Sequence, residues 1–268
     1  TDRSRGLGDV YKRQTLIMLK SCEIDFNNPP AKAQVIISAG DVPLGTQGNL
    51  FGITGGEGTG KSNYIAAMLA GCICQPDKEV DTLGIQITAN SKRKAVLLYD
   101  TEQSEVQLFK NVSNLLARAK QPDKPEELKA FCLTGMSRKE RLHAIVQSMD
   151  KFYYQYGGIQ LVVIDGIADL VKSANDEAES VAVIDELYRL AGIYNTCTLC
   201  VLHFVPNGLK LRGHLGSELQ RKAATILSIE KDEEPTQSVV KALKVRDGSP
   251  LDCLLYTSPS PRDRSVSR

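Results

Sequence analysis

The chain is expected to be an α/β domain with a mostly parallel sheet, helices on both faces and an antiparallel extension at the C-terminal side. Three observations point there. Uninterrupted apolar runs at 50–54, 95–99, 161–164 and 197–204 read as strands buried on both faces. Helix-period segments alternate with them, as helices covering a parallel sheet should. Two last apolar runs, 225–229 and 239–245, are separated only by the polar turn Asp232–Gln237 and read as a strand pair.

In order along the chain, residues 15–44 are weakly patterned. Asn27-Asn28-Pro29-Pro30 is a turn, and 35–37 and 42–44 read as short strands. Leu50–Thr54 leads into Gly55-Gly56-Glu57-Gly58-Thr59-Gly60-Lys61-Ser62, which matches G-x-x-x-x-G-K-[ST] at every fixed position. An apolar helix-forming run from Tyr64 to Ala70 follows. Residues 83–88 alternate like a strand. Ala95–Asp100 is a strand that ends in Asp100-Thr101-Glu102-Gln103-Ser104. Leu108, Phe109, Val112, Leu115, Leu116 and Ala119 then recur on one helix face, which Pro122 and Pro125 stop.

Residues 130–133 form a further strand. Ser137 and Glu140 spell a capping box opening a helix with Leu142, Ile145, Val146, Met149 and Phe152 inward. Gly157-Gly158 ends it. Leu161–Ile164 is closed by Asp165, and a helix carrying Val181, Ile184, Leu187, Tyr188 and Ala191 follows. Cys197–Phe204, with His203, is the next strand, and Val205–Gly216 reads as a loop.

The glycine stretch carries the chemistry. Its glycines let successive backbone N–H groups turn inward onto phosphate oxygens, and the helix after Gly60 adds the positive end of its dipole. Residues 55–62 are therefore the expected nucleotide cradle, with Lys61 reaching the β- and γ-phosphates and Ser62 ligating Mg²⁺. Asp165 either closes an ordinary turn or holds the metal opposite Ser62. Gly166, not a glutamate, follows it, so a group that polarises the attacking water must come from elsewhere. Glu102, past the end of another buried strand, is the best candidate; otherwise it is an acid stabilised at a helix N-terminus. His203 either senses the γ-phosphate or is a core histidine. His143 and His214 read as structural.

Both ends read as foreign to the domain. Asp9–Gln14, back-translated, is the reverse complement, one base out of frame, of the codons for Cys253–Ser258. Residues 1–14 and 253–268 resemble translated adapter DNA from a transposase-made library, leaving 15–252 as a single expected domain cut at both ends. The tails hold seven basic against three acidic residues, so the chain's +1 becomes −3 for 15–252. Net charge gives that segment no general attraction for nucleic acid. No apolar run reaches membrane-span length, and the cysteines in apolar runs read as buried thiols of a reducing cytoplasm. Cys197 and Cys200, three apart on a strand, face opposite sides and cannot share a ligand. Small GTPases are excluded because no Asn-Lys-x-Asp occurs. A ParA-type ATPase is excluded because Gly55 stands where that loop begins with lysine.

The series GGEGTGKS, LLYDTEQS, LVVIDG, VLHF, GHLGSELQRKA and KVRDG, spanning 49–248, resembles the RecA/DnaB class of P-loop motor ATPases. The likeness is closest to RepA-like hexameric helicases and related AAA-family ATPases of plasmids and mobile elements. The resemblance implies a RecA-like fold, ATP and Mg²⁺, catalytic Glu102, metal-strand Asp165, and His203 linking nucleotide state to a nucleic-acid loop. It also implies that Lys244 and Arg246 reach into a neighbouring subunit's nucleotide, that the partner is a second copy in a ring, a hexamer in that group, and that Val205–Gly216 faces its channel. Lys210 and Arg212 there would track a phosphate backbone, which admits single-stranded DNA as a partner. No aromatic residue follows Phe204 in the loop, so base stacking is not expected. The alternative is a nucleotide-gated regulatory or assembly ATPase that unwinds nothing.

Overall fold

The computed structural model describes residues 13–20, 22–75, 77–203, 213–232, 237–246 and 248. The expected tails lie almost wholly outside the described residues, as do Lys210 and Arg212. The chain divides into two compact units, 1–33 and 34–268. In the first, residues 13–20 are helical, and the Asn27 N–H donates to Asp25 Oδ1 at 2.9 Å in the expected turn.

The second unit is built on a seven-stranded sheet. Its strands are β3 (Leu50–Gly55), β5 (Ala95–Asp100), β6 (Leu128–Cys132), β7 (Ile159–Asp165), β8 (Cys197–His203), β9 (Thr225–Lys231) and β10 (Ser238–Val245), in the order β10-β9-β3-β8-β7-β5-β6. All neighbours are parallel except β9 and β10, which form the expected antiparallel extension. A second, three-stranded antiparallel sheet joins β1 (Val35–Ala39), β2 (Val42–Thr46) and β4 (Gln86–Ile87).

The apolar strands run without interruption because both faces are covered. Alternate residues point into two separate cores. Phe51, Ile53, Val96, Leu98, Leu161, Val163, Leu199 and Val201 join the core beneath α1 (Lys61–Ile73), α2 (Glu105–Arg118) and the small sheet. Leu50, Leu97, Tyr99, Val162, Ile164, Cys200 and Leu202 join the core beneath α3 (Arg138–Tyr156), α4 (Glu177–Ile193) and α5 (Gly213–Lys222). Cys197 and Cys200 fall in different cores, and burial pushes each thiol up to about 12. The expected capping box opens α3, where the Ser137 N–H donates to Glu140 at 2.8 Å.

Three local expectations are corrected. The strand expected over 83–88 is only Gln86–Ile87, because Leu83 and Gly84 adopt positive φ, which a strand does not allow. Phe109, expected inward on α2, is 74 % exposed. The loop expected to run through Gly216 is helical from Gly213; α5 was obscured by its charge and glycine content, with Leu215 and Leu219 its main buried anchors. Among the described residues, no helix is long and apolar enough to cross a membrane.

Candidate nucleotide site

Because β3, β5, β7, β8 and β9 run the same way, their carboxyl ends share one edge of the sheet, where ligands of such sheets bind. The glycine loop follows β3. Asp100 closes β5 and Glu102 lies just past it, Asp165 closes β7, and His203 closes β8. Register sets their relative heights: Gly55 pairs with His203, and Asp100 with Asp165.

The loop needs glycine at defined points. At Gly55, φ is +156°, and a Cβ would run into the Ile229 carbonyl. Gly60, at φ 94°, is the N-cap of α1 in a left-handed conformation that other residues avoid. Thr59 Oγ1 donates to the Gly56 carbonyl at 3.0 Å and holds the turn closed. Glu57, Gly58 and Ser62 are exposed, so the Ser62 hydroxyl is accessible to a ligand.

Lys61 folds back over the loop. Its Nζ donates to the Gly55 carbonyl at 3.1 Å and the Gly56 carbonyl at 2.6 Å, and lies 3.3 Å from His203 Nδ1. On the far side of the ring, His203 Nε2 lies 3.1 Å from Glu102 Oε2. With Lys61 donating, Nδ1 accepts and Nε2–H donates to the carboxylate. His203 thus joins the cradle's lysine to the candidate water-polarising acid. It is not a histidine satisfied within the core. Burial lowers the Lys61 pKa, against the nearby charges of Asp165, Glu102 and Glu57.

The acids are crowded. Asp165 is pushed up to about 7, first by burial and then by Asp100 and Glu102. Asp100 is also raised, chiefly by burial, although its Oδ1 accepts from the Glu102 N–H at 3.0 Å and the Gln103 N–H at 2.8 Å. Asp100 was not among the residues singled out from sequence. The signal was present, since it closes an apolar run just as Asp165 does, but Glu102 in the same segment masked it. Its geometry assigns it two tasks: it orders the turn that carries Glu102 and sets a second negative charge beside Asp165.

Ser62, Asp100 and Asp165 line one pocket with Asn111 and the apolar side chains of α1 and α2. Among the described residues, no group of three or more His, Cys, Asp or Glu side chains could hold a metal ion. A cation such as Mg²⁺ takes one or two protein ligands and completes its shell with phosphate oxygens and water. Ser62 and Asp165 are the residues that could hold it, and the crowded carboxylates would be relieved by its charge.

A family model described as an AAA domain matches residues 13–208. The chain belongs to the AAA domain family. This AAA domain is accordingly a nucleotide-binding ATPase of the P-loop class, and the cradle, the acids and His203 all lie within the matched span. No curated protein matches the chain.

Lys244 and Arg246 stand apart from the site of their own chain. β10 runs antiparallel, so Ser238 begins it opposite Lys231, while Lys244 pairs with Ile226 at the other end of β9. There Lys244 Nζ donates to the Gln220 carbonyl at 2.7 Å, and an Arg246 Nη donates to the Lys222 carbonyl at 3.3 Å. Both cations cap the last carbonyls of α5, where the helix dipole favours positive charge.

Proposed function

We propose that this AAA domain is a Mg²⁺-dependent, RecA/DnaB-type motor ATPase, the engine of a RepA-like replicative helicase or another DNA-associated ATPase of a mobile element. The observation that carries the reading is the chain of contacts from Lys61 through His203 to Glu102. A nucleotide whose γ-phosphate draws Lys61 toward itself alters the His203 contact, and His203 in turn holds the acid that would polarise water. Ser62 and Asp165 are the residues that would hold Mg²⁺, whose charge would offset that of the nucleotide's phosphates. Glu102 orients the attacking water. Because the proposed acid sits on a partly exposed turn and not beside Asp165 in the chain, its position can respond to what is bound.

Lys244 and Arg246 are too far along β10 to serve their own chain's phosphate loop. They suit delivery to a neighbouring copy in a ring, a hexamer by analogy with RepA-like proteins, where a cation supplied in trans stabilises charge on the transferring phosphoryl group. Lys210 and Arg212 are the proposed contacts to single-stranded DNA in the ring's channel.

The alternative reading is a nucleotide-gated regulatory or assembly ATPase, favoured by the −3 charge of residues 15–252 and by the lack of an aromatic residue in the sequence from 205 to 216. ATP turnover measured with and without saturating single-stranded DNA separates the two. A several-fold stimulation is expected of the motor. An unchanged rate would overturn the helicase reading and leave the regulatory one.

A further inference from the structure

Glycine at 166 is not required by the backbone. Gly166 has φ −177° and ψ 108°, an extended conformation open to any residue. What excludes a side chain is Glu102. A Cβ on Gly166 would meet Glu102 Oε1 outright, and would lie 2.6 Å from Cδ and 3.0 Å from Cγ. The carboxylate of Glu102 occupies the space that a methyl group would fill.

That proximity is built, and Thr101 builds it. The Thr101 N–H donates to the Asp165 carbonyl at 2.8 Å, extending the pairing of β5 with β7 by one residue. Its buried hydroxyl donates to the Gly166 carbonyl at 2.8 Å. One residue therefore clamps the Asp165–Gly166 backbone, and the next residue lays its carboxylate against the bare Gly166 Cα. From there Glu102 reaches His203 Nε2 at 3.1 Å.

We propose that Gly166, clamped by Thr101, is a positioning residue that seats the Glu102 carboxylate for catalysis. The proposal rests on the reading of Glu102 as the water-polarising acid. The obstructing atoms are the tip of a partly exposed side chain (33 % for Glu102), not backbone. An added methyl group is therefore absorbed by swinging Glu102 away, which breaks its contact with His203 and leaves the fold intact.

The test compares steady-state turnover, affinity for a non-hydrolysable ATP analogue, and melting temperature. Gly166→Ala is expected to lower kcat about 100-fold, the effect of moving a catalytic group by about 1 Å, with analogue affinity and melting temperature unchanged. In a Glu102→Gln background, Gly166→Ala should cause no further fall, because the residue acts only through that side chain. Thr101→Val should lower kcat in the same sense, and Thr101→Ser, which keeps the hydroxyl, should restore it.

Turnover of Gly166→Ala within about twofold of the parent would overturn the proposal. So would an equal additional fall in the Glu102→Gln background, or loss of cooperative melting. If Glu102→Gln itself retained full turnover, the underlying reading of Glu102 would fail first, an outcome distinct from failure of Gly166→Ala alone.

Discussion

Asp100 and Asp165 face each other as register partners at the carboxyl ends of β5 and β7, with both carboxyl groups raised above the ordinary aspartate range. Burial is the leading cause for each, and for Asp165 the charge of Asp100 comes next. A carboxyl group with a raised folded-state pKa keeps its proton where the unfolded chain has released it. Its contribution to stability therefore falls as pH rises from the ordinary aspartate range through about 7, the value for Asp165. Without metal or nucleotide, the melting temperature should decline as pH rises from the ordinary aspartate range through that value, and Asp165→Asn should flatten the decline.

The same crowding sets the response expected of the proposed Mg²⁺ site. A cation that binds the ionised form of Asp165 stabilises the fold most where that form dominates. Thermal denaturation with MgATP should show a larger rise in melting temperature above the Asp165 value of about 7 than below it. Ser62→Ala should reduce the increment.

Lys61 is expected to matter for binding before it matters for chemistry. Replacing it with alanine removes charge-assisted hydrogen bonds to phosphate, each contributing about 1.5–3 kcal/mol. ATP affinity, measured by titration calorimetry, should fall at least about tenfold. His203→Ala should leave affinity near the parent value and lower kcat, because His203 touches Lys61 and Glu102 from the strand side. Loss of affinity without loss of kcat would argue against the linking role.

The basic pair on β10 permits a test between subunits. Arg246→Ala and Lys61→Ala should each be inactive alone. If copies assemble as proposed, mixing the two variants would join an intact cradle to an intact Arg246, and ATPase activity should reappear. Arg246→Ala should also lower the melting temperature slightly, since Arg246 caps the end of α5 in its own chain. No recovery on mixing would confine Arg246 to that capping task.

Much of the fold was legible in the sequence, for identifiable reasons. Strands such as Leu161–Ile164 are apolar on both faces, and the spelling of residues 55–62 leaves little freedom in what the loop can be. Strand order was not legible, because nothing local in β3 says that β8 and β9 will flank it. The shortened strand at Gln86–Ile87 was missed because the left-handed turn at Leu83 and Gly84 interrupts an apparent alternation.

In the site, Lys61, Glu102, Asp165 and His203 were each visible as polar residues at or just past the ends of apolar runs, or within the glycine loop. Their assembly follows from parallel strands sharing one edge. Asp100 was overlooked within the same segment as Glu102. The distance of Lys244 and Arg246 from their own chain's cradle depends on the antiparallel direction of β10, which sets them at the far end of the strand. The fit of Glu102 against Gly166 depends on side-chain packing across two strands, which spacing along the chain does not reveal.

The most direct measurement is single-turnover ATP hydrolysis by Glu102→Gln alongside its affinity for ATP. The side chain keeps its size and loses its charge, so ATP affinity should stay near the parent value. The hydrolysis step should slow by about 100-fold or more, the range for removing a positioned general base. Hydrolysis at the parent rate would contradict both the catalytic role of Glu102 and the coupling of nucleotide to water through the Lys61–His203–Glu102 contacts.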